Sequence, residues 1–229
     1  MTAVCGARCL CLFDLDETLL PFDSDHAWGD YMIRLGWVDP IEFKRHNDNF
    51  YAQYIAGRLD IHAYVAFTTG PLRERSPEEA NAAHERFMHE VIQPVLHPAA
   101  LELVRDHQAR GDLVALVTAT NDFVTAPIAK AFGIVHLLAV RLERGPGGTI
   151  TGRIDGTPSY REGKVKRVDE WLAQRGCRWD DFERISVYSD SINDLALLER
   201  ATDAVAANPS PALEAVARER GWRILKLFE

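Results

Sequence analysis

No run of apolar residues in the 229-residue chain approaches the ~20 needed for a helix to cross a bilayer. The opening MTAVCGARCLCLFDLD has no lysine-rich lead, and its apolar stretch meets Asp14 within a few residues. It reads as a strand and not as a signal peptide, so the expectation is a soluble, cytoplasmic protein with no membrane partner. Cysteine is scarce: Cys5, Cys9, Cys11 and Cys177 include no Cys-x-x-Cys pair and no histidine at ligand spacing. That excludes a zinc framework and a disulfide scaffold, and buried free thiols are expected. Positive charge is in deficit, with 26 Lys and Arg against 34 Asp and Glu, a net of −8. Phosphate backbones are bound by clustered Lys and Arg, so nucleic acid is not an expected partner, and a small or neutral-to-cationic one is. There is no internal repeat or low-complexity tract. The 47% hydrophobic and 26% charged content suits one full core with a small accessory unit.

Short β-rich apolar runs alternate with helix-length segments. Residues 8–16, 113–118, 136–140, 184–190, 203–207 and 222–227 are predicted strands; 99–110, 123–132, 164–174, 192–200 and 211–220 are predicted helices. Val-, Ile- and Leu-dense strands separated by helices point to an α/β fold, a Rossmann-like doubly wound parallel sheet with its ligand site at the C-terminal strand ends. From about Ser24 to Gln93 only helix signals occur. Asp39-Pro40-Ile41-Glu42 and Ser76-Pro77-Glu78-Glu79 each give an N-cap, proline at the first helical position and glutamate at the third. The expected division is a core of residues 1–22 and 95–229 with a helical cap, 23–94, inserted after the first strand where it can serve as a lid. Gly145-Pro146-Gly147-Gly148 lacks a following Lys-Ser/Thr and reads as a turn between two short strands.

Four strand-end elements carry chemistry. Phe13-Asp14-Leu15-Asp16-Glu17-Thr18 closes the first strand with two aspartates that can reach one ligand; such apposition is tolerable when a cation lies between them or one is protonated. A turn or helix cap is the alternative use of these residues. Thr118-Ala119-Thr120-Asn121 ends the next strand with hydroxyls and backbone N–H groups suited to a phosphoryl oxygen, although Asn121 also makes an adequate N-cap. Gly163-Lys164 opens an amphipathic helix and is not a Walker motif, since Val165 stands in place of Ser/Thr. Ser189-Asp190-Ser191-Ile192-Asn193-Asp194 sets two aspartates one helical turn apart, either at one site or as a capped acidic first turn.

In this order the four elements resemble the haloacid dehalogenase-like hydrolases, in the phosphoserine phosphatase-type branch with a helical cap; the likeness covers essentially the whole chain. FDLDETLL, LVTAT, GKV and YSDSINDLALL match the family's four motifs. The resemblance implies a phosphatase with Asp14 as nucleophile and Asp16 as general acid/base. It also implies Thr118, Ala119, Lys164 and Asn193 around the phosphate, and one Mg²⁺ (alternatively Mn²⁺) held by Asp14, Asp16 and Asp190, with Asp194 and Thr18 in support. The physics agrees: a phosphate dianion beside several aspartates needs a divalent cation and a lysine, and an all-oxygen donor set suits Mg²⁺.

The expected partner is a small phosphorylated metabolite. In phosphoserine phosphatases an acidic residue after the first motif holds the substrate ammonium and a cap arginine holds its carboxylate. Asp23 and Asp25 can take the first role, or merely cap the next helix; Phe67 and Thr68 stand near where the arginine is expected. A carboxylate-free amine such as histidinol phosphate is therefore favoured over phosphoserine, with Trp28, Tyr54 or Phe67 as ring-lining candidates. Phosphocholine-like and phosphoethanolamine-like compounds are alternatives, and Arg58, Arg73 or Arg75 could still clamp a carboxylate. A phosphomutase or a silent binding module on the same fold are the competing readings. A dehalogenase needs neither the second aspartate nor a metal, and a metalloprotease reading of His84-Glu85 fails because His89 is five residues on.

Overall fold

The computed structural model describes residues 6–228. Strand β1 (Cys9–Phe13) alternates its side chains between two faces, and Leu10 through Phe13 are wholly buried because both faces are covered. Cys11 and Phe13 belong to one core cluster, Leu10 and Leu12 to the other. Around it lie β2 (Leu113–Asn121), β3 (His136–Val140), β6 (Arg184–Ser189), β7 (Asp203–Ala207) and β8 (Arg223–Leu225), all parallel, in the order β3-β2-β1-β6-β7-β8. A parallel sheet requires crossovers, and these are supplied by α6 (Pro98–Ala109), α7 (Asp122–Ala131), α8 (Glu162–Gln174), the single turn α9 (Leu195–Leu198) and α10 (Pro211–Arg220). Ala100, Val104, Val124 and Ile128 of α6 and α7 pack on one face; Val168, Leu172, Leu197 and Leu213 of α8 to α10 pack on the other. The fold is thus the doubly wound α/β sheet expected. The strand order reverses between β1 and its neighbours, where ligand crevices form.

Between β1 and α6 run α1 (Ser24–Arg34), α2 (Pro40–Ile55), α3 (Ile61–Thr68), α4 (Gly70–Arg73) and α5 (Pro77–Phe87), followed by a π-helical turn, Met88–Ile92. Their starts are written locally: Asp39 accepts from the N–H groups of Ile41 and Glu42, and Ser76 from that of Glu79, each with proline at the first turn. Two short antiparallel strands, β4 (Leu142–Arg144) and β5 (Ile150–Ile154), flank the Gly145–Gly148 turn and pack on α3 and α4 instead of joining the main sheet. At Gly152, with φ +86°, a β-carbon would stand 3.2 Å from the Arg73 guanidinium, so glycine permits this approach.

Four expectations need adjusting. β1 ends at Phe13, because Thr18 and Leu19 N–H groups turn back to the Leu15 carbonyl. β2 runs on to Asn121, and the predicted helix 192–200 is a 3-10 turn, Ile192–Asp194, followed by α9. Cys9 and Cys11 are free thiols, whereas Cys177 is disulfide-bonded, against the expectation; Cys5 lies outside the described residues. Among the described residues no helix is long and apolar enough to cross a membrane.

Candidate active site

Asp14 follows β1 directly, its N–H donating to the Tyr188 carbonyl across the β1–β6 boundary. Its Oδ1 accepts from Lys164 Nζ at 2.7 Å, and the same ammonium reaches Asp194 Oδ2 at 2.7 Å. All three side chains are buried. Burial opposes the lysine's charge, but the two carboxylates outweigh it and hold the ammonium above its ordinary range. Asp14 is nevertheless pushed up to about 7, chiefly by burial, with Lys164 opposing and Asp194 and Asp16 adding repulsion. Ser189 Oγ donates to Asp194 Oδ2 at 2.8 Å and fixes it for the lysine.

Asp190 and Thr18 form a reciprocal pair. The Thr18 hydroxyl donates to Asp190 Oδ1 at 2.9 Å and accepts from the Asp190 N–H at 2.9 Å, joining the loops after β1 and β6. Burial and the Asp14 charge raise Asp190 well above the usual carboxylate range. Asp16 points elsewhere: Oδ1 accepts from the Ser24 N–H and Oδ2 from the Thr120 hydroxyl, each at 2.7 Å. Burial, then the Asp23 charge, pushes Asp16 up to about 7 despite these donors.

A cavity opens over this end of the sheet, lined by Asp14, Asp16, Asp23, Asp25, Thr118, Ala119 and Thr120 and roofed by Phe50, Tyr51, Tyr54, Leu59, Ile61 and Tyr64. Asp23 serves as N-cap of α1, accepting from the His26 N–H at 2.8 Å, and faces the cavity as well, so both uses read from the sequence coexist. Asp25 is buried between the Asn121 amide, 3.2 Å away, and the Tyr64 hydroxyl. Burial pushes both up to about 7, with Asp25 adding to it for Asp23 and Asp16 for Asp25. Thr118 Oγ1 accepts from the Thr120 N–H at 3.1 Å and orders the strand end.

Several expected residues stand apart. Asn193 is outside the cavity lining and donates to the Tyr54 carbonyl at 2.9 Å. Of the aromatic candidates only Tyr54 lines the cavity. Trp28 packs with Tyr31, Trp37, His84, Phe87 and Phe123, and Phe67 with Phe43 and Phe50. The lining has no arginine: Arg73 donates to the Ala66 carbonyl and Arg75 stacks over Trp37. His84 bonds the Val124 carbonyl at 3.1 Å, and burial pushes it down to about 4. Sequence reasoning missed Ser24, Ser189, Tyr64 and Thr120 as partners of the aspartates; only Thr120, alternating with Thr118 on a strand end, carried a signal.

A buried carboxylate bonded to a buried lysine, with a second carboxylate pair beside them at the switch point of this sheet, defines a class. The model for the haloacid dehalogenase-like hydrolases matches residues 11–199, and the chain belongs to that family. It is a phosphatase. It is 43% identical over 216 residues to a histidinol-phosphatase of Neisseria meningitidis serogroup C (strain 8013), covering 94% of this chain and 97% of that protein. A crystal structure of a protein of unknown function from Bordetella pertussis Tohama I is 52% identical with TM-score 0.92, covering 97% of this chain and 100% of that one. A substrate-bound phosphoserine phosphatase complex shares the fold at TM-score 0.67 and 18% identity, covering 96% and 93%.

Proposed function

We propose that this phosphatase hydrolyses a small phosphomonoester with a cationic, carboxylate-free end, histidinol phosphate fitting best, through an aspartyl-phosphate on Asp14. The observation that carries this is the cavity lining: four aspartates and four aromatic rings, with no arginine to meet a carboxylate. An ammonium beside Asp23 and Asp25 would relieve the repulsion that burial imposes on them, and an imidazole-sized ring suits the space under Phe50, Tyr51, Tyr54 and Tyr64. A phosphoserine carboxylate would meet only like charge. The similarity to a protein named histidinol-phosphatase supports the same choice.

Asp14 attacks phosphorus in line, and the bond to the alkoxide leaving group breaks as the carboxylate–phosphorus bond forms. Asp16, held protonated by burial and by the Asp23 charge, gives its proton to the departing alkoxide and then takes one from the water that cleaves the acyl phosphate. Lys164 neutralises the phosphoryl oxygens while Asp194 and Ser189 keep it aimed. Thr118 and Ala119 supply polar contacts at the end of β2.

The donor set fits one hard divalent cation, Mg²⁺ or Mn²⁺: the crowded carboxylates of Asp14 and Asp190, each raised by burial, gain from a positive ion that oxygen ligands prefer. Among the described residues no three acidic, His or Cys side chains converge as a ready metal cluster, and the Asp16 carboxylate is committed to Ser24 and Thr120. Asp16 would therefore contribute through its main-chain carbonyl. The ion, when bound, supplies charge that lets the phosphate dianion approach. The proposed domain division is a cap of residues 23–94 over a core of 1–22 and 95–229.

The test is phosphate release from histidinol phosphate, phosphoserine, phosphoethanolamine, phosphocholine and p-nitrophenyl phosphate, with Mg²⁺ and with EDTA. Turnover of histidinol phosphate above the others, lost in EDTA and in Asp14→Asn by at least about a thousandfold, is expected. Preference for phosphoserine would overturn the substrate reading, and full turnover by Asp14→Asn would overturn the mechanism.

A further inference from the structure

The last turn of α2 and the loop that follows it meet the core at two points. The Gly57 carbonyl accepts from Arg161 Nη1 at 2.6 Å, and the Tyr54 carbonyl accepts from Asn193 Nδ2 at 2.9 Å. The Tyr54 ring lies 6.0 Å from that of Tyr160, and its hydroxyl meets the Ser191 side chain. Tyr160 and Arg161 lead directly into α8, which presents Lys164; Ser191 and Asn193 lie between Asp190 and Asp194. The core loops touched by the cap are therefore the two that hold the lysine and the second aspartate pair.

Arg161 has φ 52° and ψ −126°, a backbone region that glycine enters readily and other residues occupy only under strain. Its side chain is 45% exposed, so core packing does not explain an arginine here. Its near contacts are the Gly57 carbonyl and, more distantly, Glu162 at 3.9 Å. Across the joint, Gly57 has φ +65°, and a β-carbon there would stand 3.3 Å from Asn193 Oδ1, so the loop also lies close to the Asp190–Asp194 segment.

We infer that Arg161 is a positioning residue, a clamp that holds the 54–59 loop, and with it the Tyr54 wall of the cavity, in register with the start of α8. The inference rests on the phosphatase assignment and not on the amine-bearing substrate. p-Nitrophenyl phosphate, which has neither amine nor carboxylate, is accordingly the test substrate, and a failure of the substrate reading would leave this result untouched.

Arg161→Gly separates the side chain from the backbone, because glycine accepts φ 52° without strain. The expected result is a Tm equal to or above that of the unaltered protein. KM should rise about fivefold with kcat within about twofold, the size of one part-exposed charge-assisted hydrogen bond. Amide exchange in residues 54–59, measured without substrate, should quicken by a similar factor while β7 and β8 exchange as before. Arg161→Lys, which keeps a cationic donor, should recover at least half of the change in KM. An unaltered KM and exchange in Arg161→Gly would overturn the clamp, as would a lowered Tm with exchange faster throughout. A lysine variant no better than glycine would also count against it.

Discussion

The two ends of the sheet treat negative charge in opposite ways. At the N-terminal end, Asp112 is met by His107 at 2.7 Å, Arg184 at 3.6 Å and Arg110 at 3.8 Å, while Arg223 reaches Asp203 at 3.4 Å. Both of these carboxylates have an arginine beside them. At the C-terminal end, Asp14, Asp16, Asp23, Asp25, Asp190 and Asp194 crowd together, and Lys164 is the single lysine bonded among them. Asp14, Asp16, Asp23 and Asp25 are each raised to about 7, burial being the leading cause. One end of the same scaffold is neutralised for stability. The other keeps unbalanced charge that a cation, a phosphoryl group and an amine can complete.

Removing the lone lysine should break this contrast most severely. Lys164→Met leaves Asp14 and Asp194 buried without a counter-charge and should cost about 3–5 kcal/mol of stability at pH 7.5, together with all measurable turnover. The loss should shrink at pH 5.5, where Asp14, raised by burial, can take up a proton; urea denaturation at the two pH values checks both. Asp112→Asn, at the compensated end, should cost about 2 kcal/mol by the same assay because His107 and two arginines lose their shared partner. Its kcat and KM should stay within about twofold of the unaltered protein.

The pH dependence sharpens the comparison further. A carboxyl whose folded pKa exceeds its unfolded value binds protons more tightly when folded, so its contribution is present at low pH and is lost as pH rises through the folded pKa. In EDTA, the four aspartates raised to about 7 should therefore make Tm fall between pH 5.5 and 8. His84, pushed down to about 4 by burial, acts in the opposite sense below about pH 6.5, as do His107 and His136, both lowered chiefly by burial. Saturating Mg²⁺ should flatten the slope by holding the nearby carboxylates ionised. The smallest expected effect is from Asp23→Asn, which keeps the helix cap, removes one buried charge and should raise Tm by about 2–4 °C. Thermal melts with and without Mg²⁺ check both predictions.

Much of this was legible in the sequence, because it depends on local signals. Strand-end aspartates announce themselves where an apolar run stops, and Asp39 and Ser76 mark helix starts by capping chemistry that acts within four residues. The four strand-end elements were readable for the same reason. The roof of the cavity was not, since which aromatic ring faces the site depends on how α1 to α3 pack. Tyr54 could be nominated, whereas Trp28 and Phe67 turned inward to other rings and Phe50, Tyr51 and Tyr64 took their place. Ser24 and Ser189 gave no pattern at all; each matters only through one bond to an aspartate brought near by the fold.

The most direct test of the proposal that this acidic, arginine-free cavity takes a carboxylate-free amine is the ratio of kcat/KM for histidinol phosphate to that for phosphoserine, in the unaltered protein and in Asp23→Asn. A ratio of at least about one hundred is expected, dropping about tenfold or more in the variant, since both substrates bring an ammonium but only phosphoserine brings a carboxylate that the Asp23 charge repels. A ratio near or below one, or one that Asp23→Asn leaves unmoved, would contradict it.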